Sequence, residues 1–259
     1  MTTTIASGDF SRLAENYSRY RPGYSPSVLA ALMGLFSDRS TIACADIGAG
    51  TGIWTRMIAN AGVASVVAVE PDDAMRMNGE RDSQGIDIVW RKGTGAETGL
   101  ADGSVDWVSM ASSFHWVDTS VGLAEFARVL RPGGRFIALW NPRYIEVSPL
   151  LTEIESYLFQ LCPDLKRISS GRSGVTELLF DTLRAHPSYD DVLYLEGEHV
   201  ARQTPEAYLG AWQSVNDIQA QLGPDRFTIF LERVKSRIQG LNVIETVYKT
   251  RAWTARRRS

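Results

Sequence analysis

Several residue types are scarce in this sequence, and each scarcity removes a class of function. Two cysteines, Cys44 and Cys162, stand among 259 residues, with three histidines, His115, His186 and His199. Two cysteines cannot make a disulfide framework. Cys44 lies in an apolar run and Cys162 precedes Pro163, so both read as reduced packing residues. The histidines are widely spaced and no H-E-x-x-H, C-x-x-C or acidic cluster occurs, so no metal is expected. A basic excess is also missing. Lys and Arg number 27 against 30 Asp and Glu, a net charge of −3, which argues against nucleic acid and for a small-molecule partner. The longest uncharged apolar stretch, residues 28–36, falls well short of the roughly 20 residues of a membrane span. Residues 1–8 have neither a basic segment nor an apolar run, so no signal peptide is expected. The expectation is a soluble cytoplasmic protein without membrane partners, with a homodimer left open.

What is present is an alternation. Near-continuous apolar runs at residues 41–47, 63–69, 86–90, 105–110 and 135–140 suit strands covered on both faces. Helical stripes lie between or before them. Leu29, Leu32, Met33 and Phe36 form one, Ile53, Trp54, Met57 and Ile58 another. Leu123, Phe126, Ala127 and Leu130 form a third, with Asp118 or Thr119 as its N-cap and Gly133-Gly134 beyond its end. Strands and helices alternating at this spacing imply an α/β fold with a doubly wound parallel sheet. Beyond residue 144 the rhythm changes. Helices are predicted over 149–161, 174–185, 205–221 and 225–239, and strands over 192–200 and 243–254, the latter polar enough for a place near an edge. Thr204 and Pro205 supply an N-cap and first-turn proline. Arg256-Arg257-Arg258 reads as a solvated tail.

The strongest signal is Asp46-Ile47-Gly48-Ala49-Gly50-Thr51-Gly52, between the first strand and the first inter-strand helix. Glycines there permit a sharp turn and close approach of a ligand to the main chain. Glu70 ends the next strand, where an acid in an open α/β sheet grips ribose hydroxyls. A dinucleotide fold wants G-x-G-x-x-G. Here the third-glycine position of that pattern is Ile53, a departure from the nicotinamide fingerprint.

These residues, with Val67-Ala68-Val69-Glu70-Pro71, the stretch 93–106 and Arg128-Val129-Leu130-Arg131-Pro132-Gly133-Gly134, resemble the ordered motifs of class I S-adenosylmethionine-dependent methyltransferases. The likeness is to small-molecule enzymes of the ubiquinone/menaquinone and trans-aconitate types, and runs from about residue 10 to 141. It implies a seven-stranded, mostly parallel, Rossmann-like sheet with an antiparallel last strand and a helical cap. It also implies S-adenosylmethionine as cofactor. One domain, 1–259, would comprise N-terminal lid and helices (1–40), cofactor core (41–141), cap helices with the sixth strand (142–242) and the last strand (243–259).

The resemblance also implies roles. Gly48, Ala49, Gly50 and Gly52 would pass under the methionine and ribose, and Asp46 would sit beside the methionine amine. Glu70 would accept from the ribose hydroxyls, while Pro71, Asp72 and Met75 flank adenine and Gly95 and Ala96 meet its edge. The motif's usual acid falls at Ala96, with Glu97 one place later. Ser112 would join the cofactor site from the loop after the fourth strand. In that loop His115 is either a general base or a residue that orients the loop. Trp116 either faces the sulfonium and acceptor or packs. Tyr17, Tyr20 and Arg21 match an N-terminal lid segment that can hold an acceptor carboxylate, the alternative being a surface helix. Asn141-Pro142-Arg143-Tyr144 differs in place and sequence from the N-P-P-Y motif of base methyltransferases, yet Arg143 could reach an acidic acceptor from the rim. Tyr208, Trp212 and Phe227 are candidates to line the cap. The expected function is methyl transfer to an O, N or C nucleophile of a small molecule, the alternative a non-catalytic cofactor- or nucleotide-binding regulator.

Overall fold

Five largely apolar segments in the first half form strands β1 (Ala43–Ile47), β2 (Ser65–Val69), β3 (Val89–Arg91), β4 (Val105–Ala111) and β5 (Leu130–Trp140) of a computed structural model that describes residues 13–167 and 174–259. Two long strands, β6 (Tyr189–Gln203) and β7 (Ile244–Arg257), complete one sheet in the order β3-β2-β1-β4-β5-β7-β6. β1 through β5 pair in parallel, and β7 runs antiparallel to both β5 and β6. Strand order reverses between β1 and β4, so the crevice beyond their carboxyl ends is the switch point where open α/β sheets bind ligands.

The helices are α1 (Ala14–Tyr20), α2 (Pro26–Met33), α3 (Ile53–Asn60), α4 (Asp73–Asp82), α5 (Thr119–Val129), α6 (Pro149–Leu161), α7 (Gly174–Ala185), α8 (Pro205–Gln213) and α9 (Asn216–Arg237). Asp118 is the N-cap of α5, accepting from the Ser120 and Val121 amides. One face of the sheet buries Ile47, Val108, Phe136 and Trp140 against Leu123 and Phe126 of α5. The other buries Cys44, Val66, Trp107 and Leu139 against Leu32 of α2 and Trp54 and Ile58 of α3. A separate cluster joins Ile154 and Leu158 of α6 to Tyr208 and Trp212 of α8 and Phe230 and Val234 of α9. This is the cap. Cys44 and Cys162 are both free thiols.

The structure corrects several sequence expectations. The helix over 174–185 does not join the cap. Leu179 and Leu183 of α7 belong to the sheet core beside α5. β7 does lie near an edge, between β5 and the edge strand β6. The stretch 205–221 is not one helix. It breaks after Gln213, where the Ser214 hydroxyl donates to the Ala211 carbonyl and Val215 is extended (φ −91°, ψ 101°). The second break expected near 221–225 is a kink at Gly223-Pro224 within α9. The basic ending is mostly strand. Arg256 pairs with Asp190, and Arg257 and Arg258 donate to the carbonyls of Leu130 and Tyr189. The expectations placed on residues 1–12 lie outside the described residues.

Candidate active site

A cavity of about 400 Å³ opens beyond the carboxyl ends of β1, β2 and β4. Its floor is the turn after β1. The Gly48 and Ala49 amides both donate to the Val69 carbonyl, at 2.8 and 3.1 Å, which folds the turn back onto the end of β2. Gly48 has φ +64°, and a Cβ there would lie 2.8 Å from the Ser113 side chain, so both conformation and space require glycine. Beside Gly50 a Cβ would meet nothing, which leaves open room above this part of the turn.

Glu70 follows β2 and is 6% exposed. Its Oε2 accepts from the Gly50 amide at 2.7 Å and its Oε1 from the Asp72 amide at 2.9 Å. Burial pushes its carboxyl above the usual range, although those two amides pull the other way. Two of the four acceptor positions of the carboxylate are thereby used, and the residue lines the cavity. Asp72 caps α4 by accepting from the Met75 amide at 2.8 Å, which places Pro71, Asp72 and Met75 together on the same wall. Thr94 and Gly95 close this end. Gly95 cannot carry a side chain, because a Cβ would lie 2.5 Å from Val117. Their loop is anchored through Glu125, which accepts from Thr98 and from Arg128 and is pulled down to about 2 by that guanidinium.

The loop after β4 forms the middle of the cavity. Ser112 adopts φ +55°, a conformation rare for a residue with a side chain, while its amide donates to Leu139 at 2.7 Å and its hydroxyl bonds Tyr24 at 3.0 Å. Ser113 donates to the Ile47 carbonyl at 3.1 Å. Beyond them stand Tyr17, Arg21, Trp116, Asn141, Arg143, Arg167 and Tyr248. Arg21 is fixed by the helix break: its Nε donates to the Ser214 hydroxyl at 2.8 Å and its guanidinium lies 4.8 Å from the Tyr17 ring. Asn141 joins three elements, donating to the Gly23 carbonyl and accepting from Thr250.

Of the residues singled out in the sequence, Tyr17, Arg21, Gly48, Ala49, Gly50, Glu70, Pro71, Asp72, Met75, Gly95, Ser112, Trp116 and Arg143 line this one cavity. Five are elsewhere. Asp46 is fully buried under the turn, where it accepts from Thr55 at 2.6 Å and Ser109 at 3.0 Å, and burial pushes its carboxyl up to about 7. Gly52 (φ +78°) faces Trp90, whose ring a Cβ would approach to 2.8 Å, so protein packing accounts for this glycine. Ala96 is exposed at a turn closed by Thr94 and Glu97. Tyr20 lies against Gly210 of α8 and donates to Glu206. His115 is off the cavity wall. Its ring lies 4.7 Å from that of Trp116, its Nδ1 accepts from Trp140 Nε1 at 3.3 Å, and burial pushes it down to about 4. Tyr208, Trp212 and Phe227 are buried inside the cap rather than on the cavity wall. Tyr24, Asn141, Arg167 and Tyr248 line the cavity without having been assigned a site role from sequence.

Among the described residues no cluster of His, Cys, Asp or Glu could hold a metal ion, and no helix is long and apolar enough to cross a membrane. Residues 45–138 match the family described as "Methyltransferase domain". An uncharacterized methyltransferase of Mycobacterium tuberculosis is 38% identical over 135 residues, 49% of this chain and 49% of that protein. A demethylmenaquinone methyltransferase of Corynebacterium glutamicum is 30% identical over 145 residues, 55% and 60% of the two chains. The chain spans about half the length of the first of these curated relatives. Among solved structures, a protein assigned as a type II methyltransferase from Anaeromyxobacter dehalogenans superposes with a TM-score of 0.67 at 21% identity, covering 92% of this chain and 98% of that one. Residues 45–138 thus carry the likeness to a methyltransferase domain, and over most of its length the chain shares the fold of that solved structure.

Proposed function

We propose that this protein transfers the sulfonium methyl group of S-adenosylmethionine to an oxygen, nitrogen or carbon nucleophile of a small molecule. The observation that carries the reading is that one cavity is lined both by Glu70 and the glycine turn and by Trp116, Asn141 and Arg143. The residues fit the cofactor. Glu70 retains acceptor capacity for ribose hydroxyls, the space above Gly50 is open, and Pro71, Asp72, Met75 and Gly95 offer a walled slot for adenine. When bound, the cofactor supplies an electrophilic methyl carbon, whose bond pair returns to sulfur as the nucleophile attacks.

What this chain adds is position and exclusion of water. Tyr24 and Ser112, joined by a hydrogen bond, both line the cavity. Asp46 acts from below by tying β1 to α3 through Thr55 and to β4 through Ser109, and so fixes the turn that would carry the cofactor. His115 serves this reading as a loop-orienting residue. Its Nδ1 accepts from Trp140, and its low pKa keeps the ring neutral near pH 7. With no histidine among the described residues of the wall, an acceptor that attacks without a histidine base fits best: a neutral amine or an already ionised oxygen.

The test is calorimetry with S-adenosylhomocysteine together with transfer of labelled methyl from S-adenosylmethionine into a small-molecule extract. Binding with transfer is expected. Binding without transfer into any fraction would make the protein a cofactor-binding regulator instead.

A further inference from the structure

Resting on the methyl-transfer reading, we infer that the acceptor is a small anion bearing a carboxylate or phosphate group, seated on Arg143 and Arg167. Among the described lining residues of the cavity the only carboxylates are Glu70 and Asp72, both after β2. Arg21, Arg143 and Arg167 line the same cavity. Arg143 follows β5, and three strand positions separate β2 from β5, roughly 14 Å at the usual inter-strand spacing. The carboxylates that line the cavity thus stand after β2, and Arg143 stands three strand spacings away; Glu155 balances the charge of Arg167.

Arg143 is built into place. Its guanidinium lies 3.8 Å from the centre of the Trp212 ring, and its Nε donates to the Tyr248 hydroxyl at 3.4 Å. Stacking on one face and a bond at one edge fix the plane of the fork, the condition under which arginine recognises planar anions bidentately. Arg167 arrives from the far side of α6, held by an ion pair with Glu155 in which both side chains are largely buried. Both arginines lie outside residues 45–138, so the subsite is a property of the cap and not of the matched domain.

The experiment separates a small-molecule extract on an anion-exchange resin before the reaction, then offers the retained and unretained pools to the protein with labelled S-adenosylmethionine. At least tenfold more label is expected from the retained pool. Arg143→Met and, separately, Arg167→Met should each cut that signal tenfold or more while S-adenosylhomocysteine affinity changes less than twofold, which also reports that the variant is folded. Arg143→Lys, which keeps the charge without the fork, should fall between. Phosphatase treatment of the retained pool distinguishes the two sources: loss of label identifies a phosphate ester, persistence a carboxylate. Label chiefly from the unretained pool overturns this inference and leaves methyl transfer standing. Label from neither pool, with the cofactor bound, overturns the methyl-transfer reading and this inference with it.

Discussion

The amide of Gly50 donates to Glu70 Oε2 at 2.7 Å, so the glycine turn after β1 and the acid after β2 are one unit before any ligand arrives. Glu70→Ala should weaken S-adenosylhomocysteine binding tenfold or more by calorimetry, since hydrogen bonds to a charged group contribute about 1.5–3 kcal/mol each. It should also lower stability, because the amides of Gly50 and Asp72 lose their acceptor. A folded variant with unchanged affinity would remove Glu70 from the cofactor site.

Trp90 is wedged between the glycine turn and α4. A Cβ on Gly79 would lie 2.1 Å from its ring. Gly79→Ala should therefore destabilise the protein by about 1–3 kcal/mol despite the better helix propensity of alanine. In a Trp90→Leu background the same change should be neutral or stabilising, and a double-mutant cycle by urea unfolding checks this.

The segment beside the cavity is latched to the cap at Tyr20. Its ring fills the space where a Gly210 side chain would stand, 2.2 Å from the Cβ position, and its hydroxyl bonds Glu206. Gly210→Ala should lift α1 from α8. Amide exchange in residues 17–21 should quicken at least tenfold and turnover should fall, with only a small change in melting temperature. Unchanged exchange would show that the latch lies elsewhere.

Asp46 and His115 make opposite demands on pH. The Asp46 carboxyl, raised to about 7, favours the folded state when protonated, so its contribution is present below the ordinary carboxylate range and lost as pH rises through about 7. His115, lowered to about 4, must stay neutral when folded, so its contribution is lost as pH falls from its ordinary value toward about 4. Wild-type stability minus that of Asp46→Asn should fall with rising pH across this window. The difference against His115→Gln should rise over the same range. Urea unfolding at several pH values measures both, and parallel curves would contradict the burial argument.

Much of this was legible because its signals are local. The glycine turn, Glu70 and the β-branched runs each announce themselves within a few residues. α4 did not, because its sequence, Asp73–Asp82, has no apolar stripe and buries only Met75 and Gly79. Its one readable signal is Asp72, the N-cap whose side chain takes the Met75 amide. Arg167 and Tyr248 were illegible for another reason. They meet across a cavity whose walls come from residues 17 to 248, and no short-range pattern marks such a meeting. His115 misled in the other direction, since a histidine beside a ligand loop invites chemistry while its ring faces Trp140.

The ladder between β6 and β7 runs on past the pairing of β7 with β5, which spans Arg135–Trp140, and closes at Gln203 opposite Ile244. Helices α8 and α9 leave the sheet at that closing pair and return to it. In topological terms they are the contents of a hairpin loop, and enlarging such a loop adds only about 0.6 kcal/mol of closure entropy per doubling of length. Trp212, which stacks on Arg143, Ser214, which holds Arg21, and Val215 on the cavity wall travel inside that loop, while Gly50 and Glu70 do not. The hairpin tip can therefore be lengthened or exchanged without disturbing the turn that joins Gly50 to Glu70.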